Sequence, residues 1–301
     1  MLTTTAPSMS RMAAIHQRPN LPTAAELASF LQAQLPPKTN DVAFVYHTPF
    51  TRSYDASKFW ISSIVLSVTP TEGFYTSFQR GAKLGFLHRP FGLDRRSVPR
   101  LGTVLSSHKA FDEVLTVGAN FALCEPLNLD SSKSGIIQGY KGDPERRIGL
   151  VAPFKDGNLD LQTARTRILR EFKGQIEGSF GFEDETLQTV EAVAIMNAFH
   201  PEEVDRAVET AQRLGLLANP EDQSGLFYLT GAIREPGLIY AREKGIKVIC
   251  VGHRVCEEWG IGYLADQIRD RFPAVRVEEI YEEEEPRGSE RLPEPDVTKA
   301  T

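Results

Sequence analysis

The 301-residue chain is 41% hydrophobic and 25% charged, the balance of an ordinary globular protein with enough length to bury a sizeable core. Its formal net charge of -6, with no basic face or long Lys/Arg run, argues against general nucleic-acid binding, and no apolar stretch approaches a membrane span. Cys124, Cys250 and Cys256 form no even disulfide framework, which points to a reducing compartment and a cytoplasmic protein.

Residues 1–20 contain no Asp or Glu and two Arg, the composition of a disordered tail, with a mitochondrial targeting segment as the alternative. An N-terminal α/β half is expected over 21–173. Thr23 followed by Glu26 marks a capped helix start, Leu27, Phe30 and Leu31 give its apolar face, and Pro36-Pro37 ends it. A short strand at 42–46 and a loop from His47 to Ser57 follow. Ile64-Val65-Leu66 reads as a strand, Phe74, Phe78 and Ala82 as one helical face, and Leu84 to Leu87 as a second strand that opens at His88-Arg89-Pro90. Gly102 to Leu105 is a further strand leading to His108 and Asp112, with a helix expected from Val117 to Leu127. Arg147 to Val151 is again strand-like, preceded by a Gly/Lys/Asp-rich turn, and Leu161, Ile168, Leu169 and Phe172 mark a helix.

The Gly-containing, acidic stretch 174–187 is the expected linker, and 188–281 the C-terminal half. There the order is strand (Val190 to Ile195), helix (Pro201 to Leu214), strand (Leu226 to Leu229), helix (Pro236 to Lys244), strand (Ile246 to Val251), a long helix to Phe272 and a strand (Val275 to Ile280). Residues 282–301 form a charged, Pro-containing acidic tail that cannot bury a core. The repeated strand–helix–strand rhythm predicts an α/β fold with mixed sheets flanked by helices, in two related halves whose cleft holds the site.

Chemistry-bearing residues gather just after strands: His88 and Arg89, His108 and Asp112, and His253 and Glu257. A helix beginning after Gly252 puts the imidazole of His253 and the carboxylate of Glu257 on one face, since they are four residues apart. Mixed His/carboxylate donors suit Zn, Fe or Mn. From spacing alone, a helix-capping His and a solvated Glu remain the plainer reading of the last pair. A softer rival set is Cys250, His253 and Cys256, although the strand context points Cys250 into the core.

Three ordered blocks resemble the Nif-three-like family, whose bacterial members are also described as GTP cyclohydrolase I type 2 homologues. Residues 64–91, IVLSVTPTEGFYTSFQRGAKLGFLHRPF, resemble its strand, Thr-Pro turn, helix and strand ending in His-His-Pro. Residues 107–112, SHKAFD, resemble its Ala-His-Thr-Asn-Leu-Asp block, and RRIG at 146–149 a short strand that commonly follows. Residues 228–258, YLTGAIREPGLIYAREKGIKVICVGHRVCEE, resemble its Thr-Gly-Asp-Ile-Lys block and Gly-His-x-x-x-Glu ending, although Arg234-Glu235-Pro236 stands where the family carries Lys-Tyr-His.

The resemblance implies His88, Asp112, His253 and Glu257 as metal ligands, with His108 supporting them from outside the ligand set. Arg89 stands where the second His of His-His-Pro is expected. A guanidinium cannot ligate and repels a neighbouring cation, so one divalent ion per chain at most is expected, with Arg89 free to bind an anion. Two functions follow from the resemblance. One is a metal-dependent hydrolase acting on a small anionic, phosphorylated or nucleotide-like ligand, with Glu257 and Asp112 as catalytic residues. The other is a non-catalytic metal-binding or scaffold protein that keeps the fold. The resemblance also implies a homo-oligomer.

Overall fold

The computed structural model describes residues 20–182 and 189–284. The expected N-terminal tail up to residue 19, the stretch 183–187 of the expected linker and the acidic tail from 285 lie outside the described residues. The chain begins with α1 (Ala24–Gln34), β1 (Val45–His47), β2 (Ser63–Ser67), α2 (Glu72–Gln79), β3 (Leu84–Leu87), β4 (Thr103–Ser106) and α3 (Lys109–Val114). It continues with β5 (Gly135–Tyr140), β6 (Asp143–Pro153), β7 (Leu159–Asp160), α4 (Leu161–Glu171), β8 (Gly178–Phe180), β9 (Thr189–Val190) and β10 (Ala192–Met196). The remaining elements are α5 (Pro201–Arg213), β11 (Leu226–Thr230), α6 (Glu235–Glu243), β12 (Lys247–Cys250), α7 (His253–Arg271) and β13 (Arg276–Ile280).

The expected mixed sheets are present. The first runs β1-β4-β3-β2-β13, with β13, β2, β3 and β4 parallel and β1 antiparallel at the edge. The second runs β5-β6-β10-β11-β12-β8, with a parallel centre β10-β11-β12 and antiparallel pairs on both sides. Strands β7 and β9 make a small separate ladder. Every residue of β2, β3, β10, β11 and β12 is buried, because helices cover both faces of a parallel centre, and this is why those strands read as continuous apolar runs. Leu27, Leu31, Ile64, Phe86, Leu264 and Ile268 pack into one core that ties α1 and α7 to the first sheet. Val204, Ala207, Ala211 and Ala241 bury α5 and α6 on the second sheet against Ala194 and Tyr228. Among the described residues no helix is long and apolar enough to cross a membrane.

Sheet membership does not follow chain order. Strand β13, near the end of the expected C-terminal half, pairs in parallel with β2 of the first sheet. Strands β5 and β6 precede the expected linker, yet belong to the second sheet. Within the described part of that expected linker, β8 lies against β12.

Local chemistry explains most element starts. Thr23 and Glu26 form a reciprocal capping box on α1, and Pro201 sits in the first turn of α5, where its missing N–H costs nothing. The turn between β5 and β6 uses Lys141 at φ 48° and Gly142 at φ 79°, the two left-handed positions of a tight hairpin, so the Gly/Lys/Asp-rich turn joins two strands where the sequence suggested one. The helix expected at 117–127 is not formed. An earlier six-residue helix, α3, takes its place, followed by a 3-10 turn at Phe121–Leu123. Two side chains account for the shift. The Asp41 carboxylate accepts from the amides of His108, Lys109 and Ala110 and opens α3 early, and the Asn120 side chain accepts from Ala122 and Leu123 and starts the 3-10 turn.

Candidate metal centre

Strands β3 and β4 pair with Leu87 opposite Ser106, so the chain leaves them with His88 beside Ser107. His88 is fully buried; its Nδ1 lies 3.2 Å from the Ser107 carbonyl oxygen. A carbonyl can only accept, so Nδ1 carries the proton and donates it. The imidazole also stacks on Phe111 of α3, with ring centroids 4.3 Å apart at 26°. Pinned on both counts, the ring aims Nε2 at two carboxylates: Glu257 Oε1 at 3.2 Å and Asp112 Oδ1 at 3.3 Å.

Glu257 comes from α7. Gly252 precedes that helix at φ 96°, a backbone conformation open to glycine, which lets the chain turn from β12 directly into a helix starting at His253. The expected four-residue spacing then operates: His253 Nε2 lies 3.1 Å from Glu257 Oε1. Arg89 Nε approaches the same oxygen at 3.5 Å. One carboxylate oxygen therefore faces three nitrogens. The other, Oε2, is buried with no hydrogen-bond partner, as is Arg89 Nε.

Asp112 is reached from the second sheet. Arg146 of β6 places Nη2 3.1 Å from Asp112 Oδ2 and Nε 3.8 Å from Glu113 Oε1, and Lys38 pairs with the other Glu113 oxygen at 2.5 Å. His108 Nδ1 stands 3.8 Å from Asp112 Oδ2, buried and without a hydrogen-bond partner.

The charges follow from this geometry. Burial alone would lower the His88 pKa, but its bonds and attraction to Asp112 and Glu257 outweigh that and raise it to about 9. Burial likewise raises both carboxylates, and the imidazoles reverse the sign. Glu257 ends below its ordinary value because of His253 and His88, and Asp112 because of His88, His108 and Arg146. His253 is raised by its bond to Glu257, whereas burial lowers His108.

The donor set fits a divalent cation. With Nδ1 committed to Ser107, a neutral His88 points its Nε2 lone pair at two carboxylates, and only a cation, a proton or a metal ion, resolves that repulsion. His88, His108 and Asp112 have donor atoms all within 4.8 Å of one another and could hold an ion. Thus His108, expected only to support the ligands, has a donor nitrogen within reach of the same ion on the Oδ2 side of Asp112, while Glu257 is joined to the group through His88 and His253 through Glu257. The rival set dissolves. Cys250 Sγ lies 3.1 Å from Glu177 Oε2 and Cys256 Sγ 3.1 Å from the Gly252 carbonyl, so both thiols donate and stay protonated, Cys250 pushed up to about 12 chiefly by burial and Cys256 well above its ordinary value for the same reason. Sequence reasoning missed Arg146 and Asp41. Arg146 lies inside the RRIG block, whose only local signal was strand character, and Asp41 carries none because it acts across 67 residues of chain.

No protein-family model matches the chain, and no curated protein does. Solved structures do. A Staphylococcus aureus hypothetical protein superposes with a TM-score of 0.57 at 14% identity, covering 88% of this chain and 99% of its own. Reduced HcgD from Methanocaldococcus jannaschii gives 0.56 at 16% identity, over 87% and 99%. A Bacillus cereus protein related to NIF3 gives 0.55 at 12% identity, over 88% and 98%. Near-complete coverage of each neighbour shows that the whole architecture is shared, and the chain therefore has the Nif-three-like fold.

Proposed function

We propose that this chain is a Nif-three-like protein that binds a divalent ion, Zn, Fe or Mn, through His88, Asp112, Glu257 and His253 and hydrolyses a small phosphorylated or nucleotide-like substrate. The observation that carries this reading is the His88 Nε2 held between Asp112 and Glu257, with its other nitrogen tied to a carbonyl. An ion held there would supply Lewis acidity toward an anionic oxygen and toward water. Glu257 presents an oxygen, Oε2, with no protein partner, which would orient a water brought in with the ion. Asp112, fixed by Arg146, keeps its carboxylate ionised and aimed at His88. The Arg89 guanidinium, with a side chain 29% exposed, holds the anionic end of the substrate in the same site. In this reading the protein is cytoplasmic and assembles as a homo-oligomer.

The second reading, a metal-binding scaffold without catalysis, is favoured by a single contact. Arg89 already places a fixed positive charge beside Glu257. The two readings separate in one experiment. Metal-loaded wild type and His88→Ala are incubated with nucleoside phosphates and simple phosphate monoesters, and products are read by mass spectrometry. Turnover by wild type alone, with a raised KM in Arg89→Ala, supports the hydrolase; metal binding with no turnover of any substrate supports the scaffold.

A further inference from the structure

Asp112 offers two oxygens, and the structure divides them. Oδ1 faces His88 Nε2 at 3.3 Å; Oδ2 is taken by Arg146 Nη2 at 3.1 Å. Beside Oδ2, at 3.8 Å, stands His108 Nδ1, a buried ring nitrogen that no protein group satisfies. A carboxylate oxygen next to an unpartnered imidazole nitrogen is half of a cation site, and what fills it here is a guanidinium brought across from the second sheet.

We infer that Arg146 holds the place of a second cation beside Asp112 and so limits the centre to one divalent ion, an inference that rests on the metal-site reading above. Arg146 suits this role because its charge is permanent and it is anchored from behind. Glu113, itself buried and paired with Lys38, faces Arg146 Nε at 3.8 Å as an ion pair and holds the guanidinium in place by charge. The fork leaves Asp112 one free oxygen and repels any ion approaching His108. On the Glu257 side of the centre, Arg89 adds a second positive charge, so two arginines flank the group on opposite carboxylates. Arg146 is a positioning residue: it acts through Asp112, and it sets how many ions the centre takes.

The test is equilibrium dialysis of the full chain against Zn2+, followed by elemental analysis, with fold checked by circular dichroism. Wild type is compared with Arg146→Met, Arg146→Lys and the double variant Arg146→Met/His108→Ala. The expected result is an increment of about one ion per chain in Arg146→Met over wild type, absent in Arg146→Lys, which keeps the charge, and absent in the double variant, which lacks the second donor. A merely structural role would not produce an increment that depends on His108. Should Arg146→Met fail to fold, Arg146→Gln, which keeps a donor for Asp112 but no charge, gives the same increment. Identical zinc content in wild type and a folded, neutral Arg146 variant overturns the inference. The increment is read against whatever wild type binds, so it reports on Arg146 separately from the metal-site reading, which fails only if wild type takes up none of zinc, manganese and iron.

Discussion

His88 Nε2 and Glu257 Oε1, 169 residues apart in the chain, lie 3.2 Å from each other in the interior. The contact joins the end of a first-sheet strand to the opening turn of the helix that leaves the second sheet. Removing its imidazole leaves the buried Glu257 and the partly buried Asp112 without their shared cation. In the metal-free protein, His88→Ala is expected to cost about 3–5 kcal/mol, as for other buried charge groups deprived of a partner. Urea unfolding in the presence of a chelator measures it; a loss below about 1 kcal/mol would show that the carboxylates are not held by His88.

The same contact sets a pH window for the metal-free protein. The folded pKa of His88 is raised from 6.5 to about 9, so its contribution is fully present below 6.5 and lost as pH rises toward 9. Asp112 and Glu257 are lowered from 3.8 and 4.5, so their contribution is present above those values and lost as pH falls below them. Stability attributable to the group is therefore greatest between about pH 5 and 6.5. The difference in urea midpoint between wild type and His88→Ala is expected to shrink steadily from pH 6.5 to 9; a flat difference would mean that the imidazole is neutral throughout.

Asp41 fixes the start of the helix that carries Asp112. Its carboxylate accepts three amides at the start of that helix, α3. Asp41→Ala is expected to destabilise the protein by about 1–2 kcal/mol, the scale of a lost helix cap, and to weaken zinc affinity; Asp41→Asn, which keeps an acceptor oxygen, retains most of both. Competition titration against a chromophoric chelator reads the affinity, and unchanged affinity in Asp41→Ala would separate α3 from the centre.

Gly252 does for α7 what Asp41 does for α3. At φ 96° a side chain is strained, and Gly252→Ala is expected to cost about 1–3 kcal/mol and to displace His253 from Glu257. The expected signature is a lower Tm together with a weaker metal complex. A lowered Tm with metal affinity intact would place His253 outside the ligand set.

Much of this architecture was legible in the sequence where one residue's neighbours decide its state. The parallel strands β2, β3, β10, β11 and β12 announced themselves as apolar runs, and Gly252 with the four-residue spacing of His253 and Glu257 gave the start of α7 and the contact between those two side chains. Failures came where distant residues decide. Local pattern put a helix at 117–127, but Asp41 starts α3 earlier and Asn120 turns the following chain into a 3-10 segment. Strand β13 reads correctly as a strand, yet its pairing with β2 is a long-range contact that no local signal reports. His108 looked peripheral because its proximity to Asp112 and His88 depends on the packing of α3 beneath β3, and Arg146 reaches the centre only because β6 belongs to the other sheet.

The most direct test of the central claim is the metal content of the full chain after dialysis against Zn2+, Mn2+ or Fe2+, for wild type, Asp112→Ala, His253→Ala and Glu257→Gln. The account predicts about one ion per wild-type chain with at least one of these metals, and a substantial loss in each variant. No bound metal under any condition, or equal content in wild type and all three variants, would contradict it.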